Sequence, residues 1–405
     1  MFMNTLLYAL LSALRCHRWL RLLACAFIFT SLGNGLTQVL VFGLLLEWQA
    51  PPSLLTLAWL FATLPGFVGS LLGEKLCTRF APIRILIITE LLGLLALLFP
   101  LLGMHYHSIT ALLAVQSCEA LLSGMSWPAL TLLFKRGLPE PELPAATCLE
   151  HVIFASQVLL GTGLGVLLFQ HVPMAVLLAT DALSFGGSLL LLYQTGRAFS
   201  GKPAPSEPDT PQAVTVSWQS LTLRQKRSLL LLPALAAVGA PAMALLPALA
   251  QQIQPADAAG MALPLLFARS LGQLCGPLLI NKESLPRYAG QNRPLLLCLG
   301  LFFVAYAFIP ALPGKQVIAL GLIFIAHLAS NIIFAAGTFG VLSSFAATHI
   351  SAASGKAWRW QTVSASVFTS IAALIAATHG AIQAFYLVSA SALLLVAAVM
   401  IRYRE

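Results

Sequence analysis

Glu119 is the first place to look for chemistry, because it is a carboxyl near the middle of the apolar stretch 108–134. An ionisable group at the bilayer centre costs about 2.5–3.5 kcal/mol on insertion scales, so it needs a use or a partner. Gln116 and Ser123 stand at i−3 and i+4 and share its helix face. Two readings follow. The carboxyl either exchanges a proton in a central cavity, or it is held protonated in a hydrogen bond between helices.

Arg269 is the one Lys or Arg deep inside an apolar stretch, with Gln273 a turn further on. A guanidinium keeps its proton, so it is a charge partner and not a proton carrier. It either binds an anionic group of a substrate or sits in a fixed ion pair with a carboxylate. Neutral polar residues form two further sets at helical spacing. Thr30 or Ser31, Asn34, and Thr37 or Gln38 make a stripe suited to a cavity or to helix contact. His327, Ser330 and Asn331 make the other, with the histidine either structural or a ligand. Glu150 and His151 fall close to a helix start, where solvated or loop-pairing roles fit an acidic residue. Asp181, with Ser184 and Ser188, reads as a structural contact. Glu90 is placed to meet the Arg79 and Arg84 region.

The elements that must position these groups are apolar helices long enough to span a bilayer, about 20 residues each. They are predicted at 20–46, 53–76, 84–103, 108–134, 146–169 and 172–193, and again at 228–250, 260–280, 294–312, 316–345, 357–377 and 380–401. Composition agrees, at 59% hydrophobic and 9% charged. Of 22 Lys and Arg, only Lys315 falls in the odd-numbered gaps and only Arg269 well inside a span. The rest lie on the other side, which predicts both termini and the central loop in the cytoplasm of a bacterial inner-membrane protein.

The segment 196–227 carries prolines at 203, 205, 208 and 211 and reads as a cytoplasmic linker. It divides an N-terminal half at 20–195 from a C-terminal half at 228–405. Residues 1–19 are an interfacial segment: the apolar stretch Phe2–Leu14 is followed by Arg15, Arg18 and Arg21 rather than by a cleavage site. Phe61-Ala62-Thr63-Leu64-Pro65-Gly66 aligns with Phe267-Ala268-Arg269-Ser270-Leu271-Gly272 at equivalent spans, a trace of duplication. An all-α membrane protein of twelve helices in two six-helix halves is therefore expected.

That layout is the one a major facilitator transporter has. The first half, from Ser31-Leu32-Gly33-Asn34-Gly35 to Leu64-Pro65-Gly66-Phe67-Val68-Gly69, resembles the branch holding macrolide-efflux and enterobactin-export proteins. Gly124-Met125-Ser126-Trp127-Pro128-Ala129-Leu130, Glu142-Leu143-Pro144-Ala145-Ala146 and Asp181-Ala182-Leu183-Ser184-Phe185 carry the same resemblance. It implies a proton-coupled antiporter that exports an amphipathic small molecule by alternating access. An importer of the same architecture and a non-transporting receptor are the alternatives. It also implies a cytoplasmic latch after the second helix, here Gly73, Glu74, Arg79 and Arg84, with Glu90 close by. Three departures stand out: Thr78 holds the usual acidic place, Asn34 replaces an Asp, and Gly161-Thr162-Gly163-Leu164-Gly165 lacks the antiporter proline.

The substrate and proton pathway is thus assigned to Glu119, Arg269, Asn34, Gln38, Gln116, Gln273, His327 and Asn331. The expected partners are a small molecule, anionic if Arg269 binds it, along with protons and membrane lipid, and the protein is expected to be a monomer. The net charge of +9 is spread over loop ends at an anionic leaflet, which argues against nucleic acid. The seven cysteines contain no CxxC pair, and His105 and His107 lack further ligands for a metal. Nucleotide-binding and hydrolase motifs are missing, so neither a cofactor nor an enzyme activity is expected. Trp127-Pro128 reads as a kink, and Trp358-Arg359-Trp360 as an interfacial anchor.

Overall fold

Local chemistry at the helix ends fixes most of the elements. Ser108 accepts from the N–H of Ala111 at 3.3 Å and opens a helix that continues through Pro128 to Gly137. Thr222 and Gln225 form a reciprocal capping box. Pro82 occupies a first turn, where its lacking N–H removes no bond. The computed structural model describes residues 5–49, 60–169, 171–200, 216–254 and 258–403.

In the first half, α1 (Leu6–Cys16) leads into α2 (Arg18–Glu47), α3 (Pro65–Cys77), and α4 (Pro82–Ala96) with α5 (Leu98–Tyr106). There follow α6 (Ile109–Gly137), α7 (Leu143–Ser156) running through a π-helical turn at Gln157–Thr162 into α8 (Gly163–Phe169), and α9 (Met174–Ser200). The second half holds α10 (Leu223–Ala244), α11 (Leu246–Ile253), α12 (Ala258–Leu279), α13 (Leu285–Gly290), α14 (Asn292–Phe308), α15 (Gln316–Ser344), α16 (Ile350–His379) and α17 (Ala381–Arg402).

Ten helices among the described residues are long and apolar enough to cross a membrane. Helices α3 and α12 lie within the positions of the second and eighth expected spans. The start of the span expected at 53–76 lies outside the described residues up to position 59. Helix ends run past the expected bounds where the apolar signal fades into polar turns. Thus α9 and α10 take up both ends of the 196–227 linker, and α16 begins seven residues early, at Ile350. The proline-rich part of the linker, 201–215, lies outside the described residues.

Glycines set how closely helices approach. A side chain at Gly69 or Gly73 on α3 would strike the carbonyls of Leu121 and Met125 on α6, and one at Gly124 would strike Gly66. Likewise Gly35 on α2 faces Gly161 in the π-helical turn, backbone against backbone. This is the close packing expected of the Gly161–Gly165 segment, achieved through a local i→i+5 bulge.

The interfacial segment is more firmly held than a helix lying on lipid. Leu6, Leu10 and Ala13 are buried, and the Leu6 N–H donates to the Ile280 carbonyl at 3.0 Å. His17 lies 2.6 Å from Glu142. Helix α1 therefore touches both halves on the face that carries the basic residues. That basic face also holds Tyr403 near the chain end, packed edge-on to Trp218 of the linker at 5.7 Å.

Candidate functional site

A cavity of about 680 Å³ lies between the halves. Helices α2, α4, α6 and α7 with Phe185 of α9 form its first-half wall, and α10, α12, α15 and α16 with Leu246 of α11 and Phe302 of α14 its second-half wall. Polar contacts between the halves gather toward the basic face. Lys135 Nζ donates to the Leu342 carbonyl at 2.9 Å, and Arg359 Nη1 lies 2.8 Å from Glu74 Oε2. At greater depth, His151 Nδ1 lies 3.1 Å from Asn331 Oδ1. The polar contacts described between the halves thus lie at the basic face and at middle depth.

Four carboxyls lie within the first-half helices, three of them buried and Glu119 half-buried, and their partners separate them into two kinds. Glu90 Oε2 lies 2.7 Å from the Thr30 hydroxyl, which is 2.9 Å from Ser188. Asp181 accepts from Thr37 and from Ser184, tying α9 to α2. These two acids are satisfied inside their own half. By contrast, the Glu119 Oε1 and Glu150 Oε2 atoms are buried, on residues that line the cavity, without a hydrogen-bond partner among the described residues. A buried acceptor left bare costs about 1–3 kcal/mol, more if charged. Such positions are the ones a proton or a ligand can complete.

The second-half wall carries the complementary group. Arg269 lines the cavity, its Nε has no hydrogen-bond partner, and no ion pair involves it among the described residues. The expected alternative, a fixed pair with Glu119 or Asp181, is therefore absent here. His327 Nε2 lies 2.7 Å from the Tyr306 hydroxyl, and Asn331 Nδ2 donates to the His327 carbonyl at 2.9 Å. That bond turns Asn331 Oδ1 toward His151, so His151 Nδ1 carries the hydrogen and a neutral ring leaves Nε2 as an acceptor.

Most of the expected pathway residues come together. Glu119, Arg269, Asn34, Gln38, Gln273, His327 and Asn331 all line the cavity. Gln116 is the correction: it is 2% exposed and absent from the lining, because a three-residue step turns it 60° away from Glu119 into the packing of α6. Glu90 is a second correction. It lies at the cavity wall with Thr30 as its partner and makes no ion pair with Arg79 or Arg84, both of which are exposed. Of the latch residues, Gly73 serves the α3–α6 approach, and Glu74 pairs with Arg359 of the other half.

Four residues were misplaced by sequence reasoning. Glu150 and His151 are 4% and 3% exposed, not solvated, because α7 starts at Leu143 and carries them two turns inward. Trp127 and Trp358 meet across the halves with ring centroids 5.0 Å apart, and both line the cavity. The earlier helix start follows from Pro144, a residue favoured in a first turn, which is a readable signal. Nothing local announces the tryptophan pair.

No protein-family model matches the chain. An uncharacterised 29.9 kDa protein in the crtE 3′ region of Pseudescherichia vulneris is 63% identical over 74 residues, which is 18% of this chain and 27% of that protein. The chain thus spans about a quarter of that relative's length. Solved structures match over nearly the whole fold. A bacterial homologue of the iron transporter ferroportin, outward-facing, aligns over 95% of this chain and 98% of its own with TM-score 0.68 and 14% identity. The human organic anion transporter MFSD10 aligns over 94% and 97%, with TM-score 0.66 and 16% identity. The fucose:proton symporter FucP of E. coli, a Major Facilitator Superfamily transporter, aligns over 95% and 98% with TM-score 0.62 and 15% identity. With ten long apolar helices among its described residues and two halves around a cavity, this multi-pass membrane chain has the major facilitator fold.

Proposed function

We propose that the protein is a proton-coupled secondary transporter of the bacterial inner membrane, a monomer that exports an amphipathic small molecule by alternating access. The observation that carries this reading is Glu119, whose Oε1 is unpartnered among the described residues at a cavity between the two halves. The positive-inside rule makes the basic face cytoplasmic, with both termini and the linker on that side. On that orientation the Glu74–Arg359 and Lys135–Leu342 contacts between the halves lie toward the cytoplasm.

Export follows from the resemblance to macrolide-efflux and enterobactin-export proteins, and siderophores or macrocyclic compounds are the substrates to try first. An external proton would reach Glu119 in the outward-facing form and be released inside after the halves rock, driving solute the other way. Each pH unit of gradient supplies about 1.4 kcal/mol per proton, a tenfold solute ratio for one-to-one exchange. Arg269 is suited to an anionic group of the solute, since a guanidinium in this setting lacks any carboxylate partner.

Inside-out vesicles test the reading. With the lumen acidified, catecholate siderophores or macrolides should accumulate in the lumen, and a protonophore should abolish accumulation. Uptake in right-side-out vesicles with external acid would instead identify an importer. Binding without flux in either orientation would identify a receptor.

A further inference from the structure

Among the described residues, the uncompensated cavity atoms whose role is fixed are sorted by wall. Glu119 Oε1 and Glu150 Oε2 belong to the first half, and both are carboxylate acceptors. Arg269 Nε and Trp358 Nε1 belong to the second half, and both are donors. Asn34 Oδ1, Gln273 Oε1 and His327 Nδ1 also lack partners, but an amide with no bonds to fix it presents either end and an imidazole nitrogen takes its role from the tautomer. A buried polar atom is costly unless something completes it, so the sorting describes a ligand.

We propose that the cavity is built for a bipolar solute, one end an ammonium or other donor group and the other an anion, on a flat unsaturated body. This rests on the transporter reading and narrows its substrate class. A purely anionic solute would satisfy Arg269 and leave Glu119 and Glu150 facing it with bare acceptors. A purely cationic solute would satisfy the acids and leave Arg269 uncompensated. A solute carrying both ends completes both walls at once without protonating either acid, and a site built on paired polar groups rejects analogues that lack one.

The body is read from the apolar lining. Trp127 and Trp358 present an indole pair contributed by both halves. Phe154 and Phe334 stack nearly parallel with centroids 6.4 Å apart, again one from each half. Indole faces and phenyl rings favour flat π systems through offset and edge contacts, and an indole face also attracts a cation. Because each aromatic pair has a member on either wall, a ring held there touches both halves. Binding is then coupled to how the halves sit.

Three probes that differ only at the charged ends separate the possibilities: tryptophan, indole-3-propionate and tryptamine, titrated calorimetrically into the purified full chain in nanodiscs. Tryptophan should bind at least tenfold tighter than either singly charged probe. Arg269→Gln should erase its advantage over tryptamine, and the Glu119→Gln/Glu150→Gln double variant its advantage over indole-3-propionate. Indole-3-propionate binding as tightly as tryptophan, indifferent to the two glutamates, would overturn the bipolar class and leave the anion reading of Arg269 standing. Failure of all three probes to bind a protein with a normal melting curve would also overturn it. The transport reading is decided separately, by whether any of these probes, a siderophore or a macrolide accumulates in vesicles under a proton gradient. Should either variant misfold, Arg269→Lys and Glu119→Asp, which keep the charge, serve as its replacements and should retain the preference for tryptophan.

Discussion

Glu74 of α3 and Arg359 of α16 meet at 2.8 Å across the two halves, and Arg359 is the chain neighbour of Trp358 at the cavity. The approach is close but not aligned as a hydrogen bond, so its value is electrostatic. The side chains are 24% and 14% exposed, enough to limit screening without removing it. Breaking one side of a buried pair costs about 3–5 kcal/mol, and less where water still reaches. Beside the pair, a side chain at Gly355 would stand 3.4 Å from Glu74 and 3.2 Å from Arg359, so the helices leave little room for rearrangement.

Glu74→Gln should therefore weaken closure at the basic face. A cysteine placed at Ser126, a cavity residue, reports it: alkylation from the basic side should rise severalfold in Glu74→Gln, since each 1.4 kcal/mol is tenfold in population. The charge swap Glu74→Arg with Arg359→Glu should restore protection. An unchanged rate in the single variant would remove this pair from gating.

Glu119 and Glu90 both line the cavity and differ in their partners, which makes them a matched comparison. Glu119→Gln keeps the shape and removes titration, so gradient-driven transport should fall about tenfold or more while counterflow of solute persists. Glu90→Gln should lower the melting temperature through the lost Thr30 contact and leave coupling intact. Equal coupling in both variants would assign the proton to Glu150, the other unpartnered acid.

The signals that reached the sequence reading were local ones. Span lengths and the one-sided placement of Lys and Arg need only the chain and a bilayer, and they yield the fold. Glu119 and Arg269 were legible because a charge in an apolar stretch is rare. Glu90 was misassigned because its partner, Thr30, comes from another helix, while Arg79 and Arg84 are merely nearer in sequence. Glu150 was read as solvated because the start of its helix was set three residues late. The Trp127–Trp358 contact joins residues that only the packing of two halves brings together. Long-range pairings of this kind leave no periodicity to read.

The Gly35–Gly161 approach gives a packing prediction. The two backbones touch where α2 crosses the π-helical turn, with no side chain able to move aside. Overpacking of this kind costs about 1–3 kcal/mol. Gly161→Ala should lower the detergent melting temperature by several degrees and reduce yield, whereas Gly186→Ala, which meets nothing within 4 Å, should do neither. Equal behaviour of the two would mean that the helices can part at little cost.

The docking of α1 supplies the last prediction. Thr5 and Asn281 form an antiparallel bridge next to the Leu6–Ile280 hydrogen bond, while Leu10 and Ala13 bury the helix against the first half. Directly opposed residues in such a bridge lie about 4.5–5.5 Å apart at Cα, within the range a disulfide accepts. Opening the basic face requires the end of α12 to draw away from the start of α7, and α1 spans both. Thr5→Cys with Asn281→Cys, in a background where the exposed Cys16 and Cys25 are serine, should cross-link under mild oxidation. Transport should stop when the bridge forms and return on reduction. Full transport by the cross-linked protein would show that α1 travels with the second half and restrains nothing. A pair that fails to cross-link would place α1 away from α12 in the membrane. Arrest that reverses with reductant is the result expected of a helix that must release one half before the other can move.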